Sequence, residues 1–324
     1  MKKSLKAAGL AAAAWTACIA SSQAADDTDW PRHAVRLIVP YAPGGIADQM
    51  ARITAEALQA AFNQPFVVEN KPGASGSLAT SYVAKSKPDG YTLLVGLAAP
   101  QTLNQFIYKV DYHGLNDFAP VALLNTNPLI LAVHPTLPVK TVGDVIAYAR
   151  KYPGKLNFGG AGGLTQFAGE VFKYDTKTDM VHVPYRGGAP AVAAAVAGDV
   201  QMTFANYSDV QPWIESGRLR AVAITSPKRY PRNPDLPTIA ESGVPGYGMD
   251  GWTGLLAPAG TPPAVVRKIS AVVRKTLNEP AMKDKLEAMG SPPGNMSPEE
   301  FRAFMAGEIK RWQGFVAESG IKVE

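Results

Sequence analysis

The sequence predicts an α/β protein of two lobes, each built on a mostly parallel sheet flanked by helices. Strand-like and helix-like segments alternate from residue 35 onward, which is the order that gives a parallel sheet with right-handed crossovers. About 300 residues follow a leader at the start of the chain, which is enough for a large core and for two lobes. No internal repeat or low-complexity segment interrupts this pattern beyond the leader.

The start of the chain has the order of a cleavable signal peptide. Three lysines precede an apolar run at 7–20, and small residues end at Ala24 ahead of an acidic segment. The run is too short to span a membrane, which takes about 20 apolar residues, although a retained interfacial anchor stays open as an alternative. Trp15 stands where a lipoprotein signal would have Leu before Cys18. We therefore expect residues 1–24 to be removed and the mature protein to work in the periplasm.

Removing the leader changes the charge and the cysteine content. The leader holds three of the 32 basic residues and none of the 27 acidic ones, so the mature chain is nearly neutral at +2. Such a balance gives no basic patch for nucleic acid. The single cysteine leaves with the leader, which excludes disulfides and thiolate metal sites from the mature chain.

The predicted order up to residue 114 is strand, helix, strand, helix, strand, and then an irregular stretch. The first strand is rich in β-branched residues and ends at Pro40, and apolar residues recur on one side of the helix that follows. These five elements are predicted at 35–39, 46–62, 66–68, 75–84 and 91–95, and the irregular stretch at 98–114.

The alternation resumes at residue 121 and ends in three helices, the first of which opens on two prolines. The later strands are predicted at 121–124, 129–133, 156–158, 180–183, 200–204 and 219–224. The later helices are predicted at 142–151, 166–174, 189–197, 210–216, 262–277, 281–289 and 298–319. The chain is expected to cross between lobes near 125–128 and to return near 225–227. This assigns 25–125 with 226–324 to lobe 1, and 126–225 to lobe 2.

The segment 40–48 is the most informative local feature. A strand ends, two prolines shape a turn, and Gly44 and Gly45 let the backbone approach a ligand closely before a helix begins. A helix start presents unpaired N–H groups that attract a carboxylate or phosphate, and ligands of open α/β sheets bind at the carboxyl ends of strands. An ordinary strand-to-helix turn gives the same pattern and is favoured locally. Asp48 alone is more typical of a helix N-terminal charge than of a ligand contact.

A second glycine-rich loop lies at 159–166, between a strand and a helix. The dinucleotide-binding fingerprint fails because its sixth position, counted from Gly160, is Thr165, and no Gly-Lys-Ser/Thr of a P-loop follows. Taken alone, Thr165 is better suited to capping the helix than to contacting an anion. Two such loops, one in each lobe, predict a cleft bounded by backbone donors.

No catalytic or metal-binding pattern is found in the sequence. The segment 73–77 resembles a nucleophile elbow, but its fifth position is Ser and it follows a turn rather than a strand. The four histidines are scattered without metal-ligand spacing. The sequence therefore favours binding over catalysis, and we expect neither an enzyme nor a cofactor.

Ordered motifs along the mature chain carry a family resemblance. They read VPYAPGG at 39–45, ENKPGA at 69–74, KPDGYTLL at 87–94, DFAPV at 117–121, PGKLN at 153–157, VPYRG at 183–187, DLPT at 235–238 and GLLAPAGTP at 254–262. In this order they resemble the Bug family, the extracytoplasmic solute receptors of tripartite tricarboxylate transporters.

The resemblance implies a type II-like two-lobe periplasmic-binding-protein fold that closes over a small mono- or dicarboxylate and delivers it to membrane permease subunits. It also implies that backbone N–H groups, hydroxyls and ordered waters hold the ligand, without a dedicated arginine clamp. We expect a monomer that binds no nucleic acid. The expected ligand-binding residues are Tyr41, Pro43, Gly44, Gly45, Ala47, Asp48, Gly162, Gly163, Thr165, Gln166, Ala205 and Asn206.

Two positions depart from the family pattern. Gln166 stands where the family has a His, in a loop that is shorter, and Ala205 replaces the Asp of a Phe-Asp-Asn sequence that ends here at Asn206. The resemblance then implies that a carboxylate near the far end of the ligand is missing. Such a site tolerates a second carboxylate or an apolar ring better than an amine, because an unpaired buried charge is costly.

The same residues bear on three other functions. Presenting a ligand to a sensor kinase, rather than to a permease, would use the same fold and stays open. A hydrolase or lyase would need a clustered acid, base or nucleophile, and the sequence shows none. Nucleic-acid binding conflicts with the near-neutral charge and the leader.

Overall fold

The computed structural model describes residues 29–160, 163–185, 187–230 and 233–319. The strands in these ranges are β1 (Val35–Val39), β2 (Phe66–Asn70), β3 (Thr92–Leu97), β4 (Phe118–Val133), β5 (Leu156–Gly160), β6 (Met180–Pro184), β7 (Met202–Asn206), β8 (Arg220–Ile224) and β9 (Asp250–Pro258). The α-helices are α1 (Ile46–Phe62), α2 (Ser77–Ala84), α3 (Asn104–Ile107), α4 (Val142–Lys151), α5 (Gly163–Thr176), α6 (Gly188–Ala197), α7 (Tyr207–Glu215), α8 (Pro263–Leu277), α9 (Pro280–Ala288) and α10 (Pro298–Ser319). The predicted leader lies outside the described residues.

The strands form one sheet in the order β2-β1-β3-β9-β4-β7-β5-β6, with β8 also paired to β4. Strand β4 belongs to both ends of this sheet, because 118–128 pair with β9 whereas 129–133 pair with β7 and 130–133 also pair with β8. We call the β2-β1-β3-β9 end the first half and the β7-β5-β6 end with β8 the second half. The sequence predicted two strands at 121–124 and 129–133, and pairing with β9 through 125–128 joins them into one.

The α/β fold class is confirmed, and the sheet is mixed in each half. Strands β1, β2 and β3 are parallel to one another, as are β5, β6 and β7. The pairs that involve β4 or β9 are antiparallel. The carboxyl ends of the parallel strands lead into helices along one edge of each half, which is where open α/β sheets bind ligands.

Helices cover both faces of each half. Apolar residues of α1 and α8 pack on one face of the first half, and those of α2 and the start of α10 pack on the other. In the second half, α4 and α5 lie on one face and α6 and α7 on the other. Helix α10 contributes to both halves, since Phe301 packs on the first and Trp312 on the second. No helix in the described ranges is long and apolar enough to cross a membrane.

The stretch predicted as irregular at 98–114 contains a π-helix at Ala99–Leu103 that runs directly into α3. π-helical turns are rare and are frequently found at functional sites. Periodicity over so few residues carries no signal for this structure, which explains why the sequence did not predict it.

Candidate functional site

The predicted loop at 40–45 leaves the carboxyl end of β1 and is exposed along its length beyond Pro40. Gly44 has a φ of +96°, a conformation that L side chains rarely adopt, so the turn requires a glycine at this position. A Cβ atom placed on Gly44 or Gly45 would meet nothing within 4 Å. The backbone of both glycines therefore faces open space, as the predicted close approach of a ligand requires.

The start of α1 leaves backbone donors beside this space. Its first intrahelical bond runs from the N–H of Gln49 to the carbonyl of Gly45 at 3.0 Å, and no side chain caps the helix. Within the described chain, the N–H groups of Gly45, Ile46 and Ala47 donate to no protein acceptor. Donors at a helix start, together with the positive end of the helix dipole, attract an anion.

The start of α4, unlike that of α1, is capped by side chains of the protein. There the Thr141 hydroxyl accepts from the N–H of Asp144 at 3.1 Å, and the Asp144 carboxylate accepts from the N–H of Thr141 at 3.0 Å. This capping box satisfies the helix start from within the protein. The start of α1 has no such partner and is the better candidate for an external anion.

The buried carboxylate of Asp48 stabilises the loop at 40–45 through hydrogen bonds. The residue is only 3% exposed. Its carboxylate accepts from the N–H of Gly44 at 3.1 Å, from Nε and Nη2 of Arg52 at 2.9 and 3.1 Å, and from Nδ2 of Asn70 at 3.1 Å. Asn70 also donates to the carbonyl of Tyr41 at 2.9 Å. Burial acts to raise the pKa of Asp48, but these hydrogen bonds outweigh it and the pKa falls below its usual value. These contacts give Asp48 the role of a brace, and a direct contact of Asp48 with ligand stays a prediction.

The Asp48→Asn variant tests this brace. The variant keeps the size of the side chain but loses the charge that four donors share, so we expect a loss of about 2 kcal/mol in the free energy of unfolding at pH 7. Because the folded pKa is depressed, the carboxylate stabilises above its ordinary pKa of 3.8, and this stabilisation is lost as the pH falls through the folded pKa.

Urea unfolding of Asp48→Asn and wild type from pH 7 down to pH 3 checks both points. The difference between the two proteins should shrink below pH 3.8. Arg52→Gln, which removes one donor pair and leaves the Gly44 and Asn70 bonds, is the control and should lose less. A difference that is absent at pH 7 would contradict the brace.

Tyr41 contacts a second turn that the sequence did not assign to the site. Its hydroxyl donates to the carbonyl of Ser75 at 3.3 Å, and Nδ2 of Asn104 donates to the same carbonyl at 3.1 Å. Residues 73–76 all have positive φ, from +48° to +144°. Backbone held in such conformations clusters at functional sites. Desolvation by the surrounding chain raises the pKa of Tyr41, although the residue is 36% exposed, so its hydroxyl stays a neutral donor.

The second predicted loop leaves the carboxyl end of β5. A Cβ on Gly160 would lie 2.8 Å from Nε2 of His182, so any larger residue would have to displace the His182 ring, which packs against the strand end. Helix α5 begins at Gly163, which has a φ of +55°, so the predicted helix start at 166 is wrong by three residues and Thr165 lies within the first turn. Thr165 and Gln166 are half-buried in its first turn. The predicted contact Gly162 lies outside the described residues.

The remaining predicted contacts lie at the end of β7. Ala205 is 2% exposed and belongs to an apolar cluster of the second half, opposite Ile130 of β4. Asn206 is half-buried, and its Nδ2 donates to Oδ2 of Asp209 at 3.0 Å. Desolvation raises the pKa of Asp209, and the bond from Asn206 opposes this shift. Asp209 therefore places a carboxylate one helical turn after Ala205, and no sequence motif pointed to it.

The π-helix at Ala99–Leu103 lies against both glycine-loop regions. On one side, a Cβ on Gly76 would lie 2.7 Å from Cγ of Pro100 and 3.4 Å from the hydroxyl oxygen of Tyr41. On the other side, a Cβ on Gly163 would lie 3.5 Å from Cβ of Ala99. The start of α5 and the Tyr41 loop thus border the same short segment. Within the described ranges, no group of three or more His, Cys, Asp or Glu side chains is placed to hold a metal ion.

Comparison with known proteins decides the family. The sequence model described as "Tripartite tricarboxylate transporter family receptor" matches residues 50–321. The chain belongs to this family. The protein BugT of Bordetella pertussis is 35% identical over 313 residues, which cover 95% of each chain. The Bug assignment made from the sequence is therefore confirmed.

Solved structures give the same result for the fold of this tripartite tricarboxylate receptor. R. palustris Rpa4515 with adipate has a TM-score of 0.84 and 37% identity, covering 91% of this chain and 99% of that one. MatC from Rhodopseudomonas palustris with bound malate has a TM-score of 0.81 and 32% identity, covering 89% and 100%. The periplasmic binding protein BugD has a TM-score of 0.79 and 29% identity, covering 91% and 100%.

These comparisons confirm the periplasmic-binding-protein fold and a solute-binding receptor rather than an enzyme. The receptors of this family are periplasmic. The matched range starts at residue 50 and so begins after the Tyr41 loop. The individual ligand contacts and the lobe boundaries stay predictions.

Proposed function

We propose that this protein captures a small mono- or dicarboxylate between its two halves and delivers it to the membrane subunits of a tripartite transporter. The leader would be removed near Ala24, and the lobes would comprise 25–125 with 226–324, and 126–225. The observation that carries the proposal is the uncapped start of α1, where the N–H groups of Gly45, Ile46 and Ala47 find no acceptor in the described chain and a Cβ on Gly45 would meet nothing within 4 Å.

Neutral donors at helix starts suit a carboxylate. The N–H groups of α1 stabilise negative charge without bringing a buried cation that would need compensation. The start of α5 borders the same π-helical segment and would supply donors from the second half. Adipate in Rpa4515 and malate in MatC are both dicarboxylates, which supports this ligand class.

A thermal-shift screen tests the proposal. The panel contains adipate, malate, their monocarboxylate analogues, and amides and amines of matched length. At a ligand concentration of 100 times Kd, binding stabilises the folded protein by about 2.7 kcal/mol, which is a readily measured shift in Tm. We expect at least one acid to raise the Tm and the amides and amines to leave it unchanged. A panel without a shift for any acid would contradict the proposal.

A further inference from the structure

Four exposed apolar side chains follow one line on the surface of the first half. Tyr41, Val67, Leu78 and Tyr82 are 36%, 45%, 56% and 39% exposed, respectively. We call these four residues the exposed strip. Large apolar side chains that cluster on a surface mark interaction sites more often than single ones do.

The strip begins at the predicted ligand cleft. The Tyr41 hydroxyl contacts the carbonyl of Ser75, in the turn with positive φ. The same turn reaches Leu78, because a Cβ on Gly73 would lie 3.2 Å from Cδ2 of that leucine. The turn at 73–76 therefore joins the loop that would hold the ligand to Leu78 on the outer face of α2.

The strip ends at the edge of the sheet. Leu78 and Tyr82 stand one helical turn apart on α2, and Nη1 of Arg36 donates to the Tyr82 hydroxyl at 2.8 Å. Arg36 in β1 is the register partner of Val67 in β2, so the two side chains share a face of the sheet. In the described chain β2 pairs with β1 alone. Val67 is thus an uncovered apolar residue on an edge strand.

Two cations lie beside the aromatic ring of Tyr82 in the exposed strip. Nζ of Lys71 lies 4.9 Å and Cζ of Arg36 lies 5.5 Å from the ring centroid of Tyr82. The nearby carboxylate of Glu69 is engaged on both oxygens by Arg36, at 2.5 and 2.7 Å. The Lys71 ammonium also acts on Glu69 through its charge, but it forms no ion pair within 4 Å in the described chain. It can therefore pair with a carboxylate from outside, which favours a partner with acidic residues beside its apolar contact.

We propose that the exposed strip docks an extracytoplasmic loop of the transporter's membrane subunits, with an apolar side chain over Leu78 and Tyr82 and an Asp or Glu at Lys71. The inference rests on the proposed function. A receptor that delivers a ligand must dock near the mouth of its cleft, and the strip includes Tyr41 of the predicted ligand loop, whose hydroxyl contacts the 73–76 turn. An apolar centre beside a charged group is the composition of an interface hot spot.

Uptake measured alongside ligand affinity tests the inference. The variants Leu78→Asp and Lys71→Glu are expressed in the native host after deletion of its own copy of the gene. Their matched controls are Val181→Asp, which is 43% exposed on edge strand β6, and Lys151→Glu, whose ammonium lies 5.2 Å from the ring centroid of Tyr152. Each protein is assayed for uptake of the radiolabelled acid found in the screen and, after purification, for its Kd by calorimetry.

We expect Leu78→Asp and Lys71→Glu to lower uptake about tenfold or more, as the loss of a hot-spot residue does, with Kd and Tm unchanged. Both controls should transport as the wild type does. Wild-type uptake by the two strip variants would overturn the inference, as would an equal loss in the controls or a weakened Kd. A light-scattering mass that is dimeric for wild type and monomeric for Leu78→Asp would instead assign the strip to a second copy of this chain and overturn it too. If calorimetric titration of the wild-type protein with the acid gives no binding heat, the proposed function itself fails.

Discussion

Replacing Gly45 with Val is expected to lower carboxylate affinity about a hundredfold or more, which corresponds to about 2.7 kcal/mol of binding free energy. Gly45 caps α1 with φ of −78° and ψ of 173°, an extended conformation that Val adopts without strain. The new side chain meets no protein atom within 4 Å of its Cβ, so it extends into the space where the ligand would approach the N–H groups of Ile46 and Ala47. Calorimetric titration of the acid found in the screen measures the loss.

Gly45 is a better test position than its neighbour. Gly44 has a φ of +96°, so a valine there would strain the backbone and confound a loss of binding with a loss of folding. The matched control is Gly143→Val, in the first turn of α4, where a Cβ makes only an ordinary contact of 3.7 Å with Oγ1 of Thr141. This control should bind as the wild type does. Unchanged affinity in Gly45→Val would move the site away from the start of α1.

The second large effect concerns stability, and it centres on Phe301. We expect Phe301→Ala to lower the free energy of unfolding by about 3–5 kcal/mol, the usual cost of removing a buried aromatic ring from a core. The ring is fully buried, stands edge-on to Trp252 at 5.3 Å between centroids, and packs directly over Gly254, where a Cβ would lie 2.3 Å from its Cζ. Removing the ring leaves a cavity between α10 and β9.

Urea unfolding followed by circular dichroism measures this loss. Phe315→Ala is the matched control on the same helix, because Phe315 is only half-buried against Trp312 and Tyr174. Its loss should be clearly smaller, since less apolar surface is removed from contact. Equal losses for the two variants would show that α10 is not anchored to the first half through Phe301.

The sequence predicted the element types well where the pattern was long and failed where contacts across the fold decide the structure. Helix α1 was predicted with its observed bounds, because a 17-residue amphipathic stretch between a glycine pair and an asparagine carries both its period and its ends. The single strand β4 could not be predicted, because its middle is held by β9, which lies more than a hundred residues away in the chain. Local pattern carries no trace of such pairing.

The site was predictable to a similar extent. The glycine loops at 40–45 and 159–166 were predicted as site elements because glycines between a strand and a helix have a local physical meaning, and their contacts with ligand stay predictions. The helix after the second loop was predicted from 166, but α5 begins three residues earlier, at Gly163. The Ser75 turn was set aside as a failed nucleophile elbow, although Gly73 and Gly76 on either side of it were the available signal for unusual backbone. Asp209 was missed because its closeness to Asn206 follows from the start of α7 and not from any motif.

The central claim is that a carboxylate is held by backbone donors at the start of α1. Calorimetric titration of wild type with the best acid from the screen, and with the same molecule after conversion of its carboxylates to amides, tests the claim most directly. The acid should bind with a micromolar Kd and the amide at least about a hundredfold more weakly, because a neutral group loses the favourable interaction with the helix dipole and its charge-assisted hydrogen bonds. Equal affinities for the acid and its amide would contradict the account.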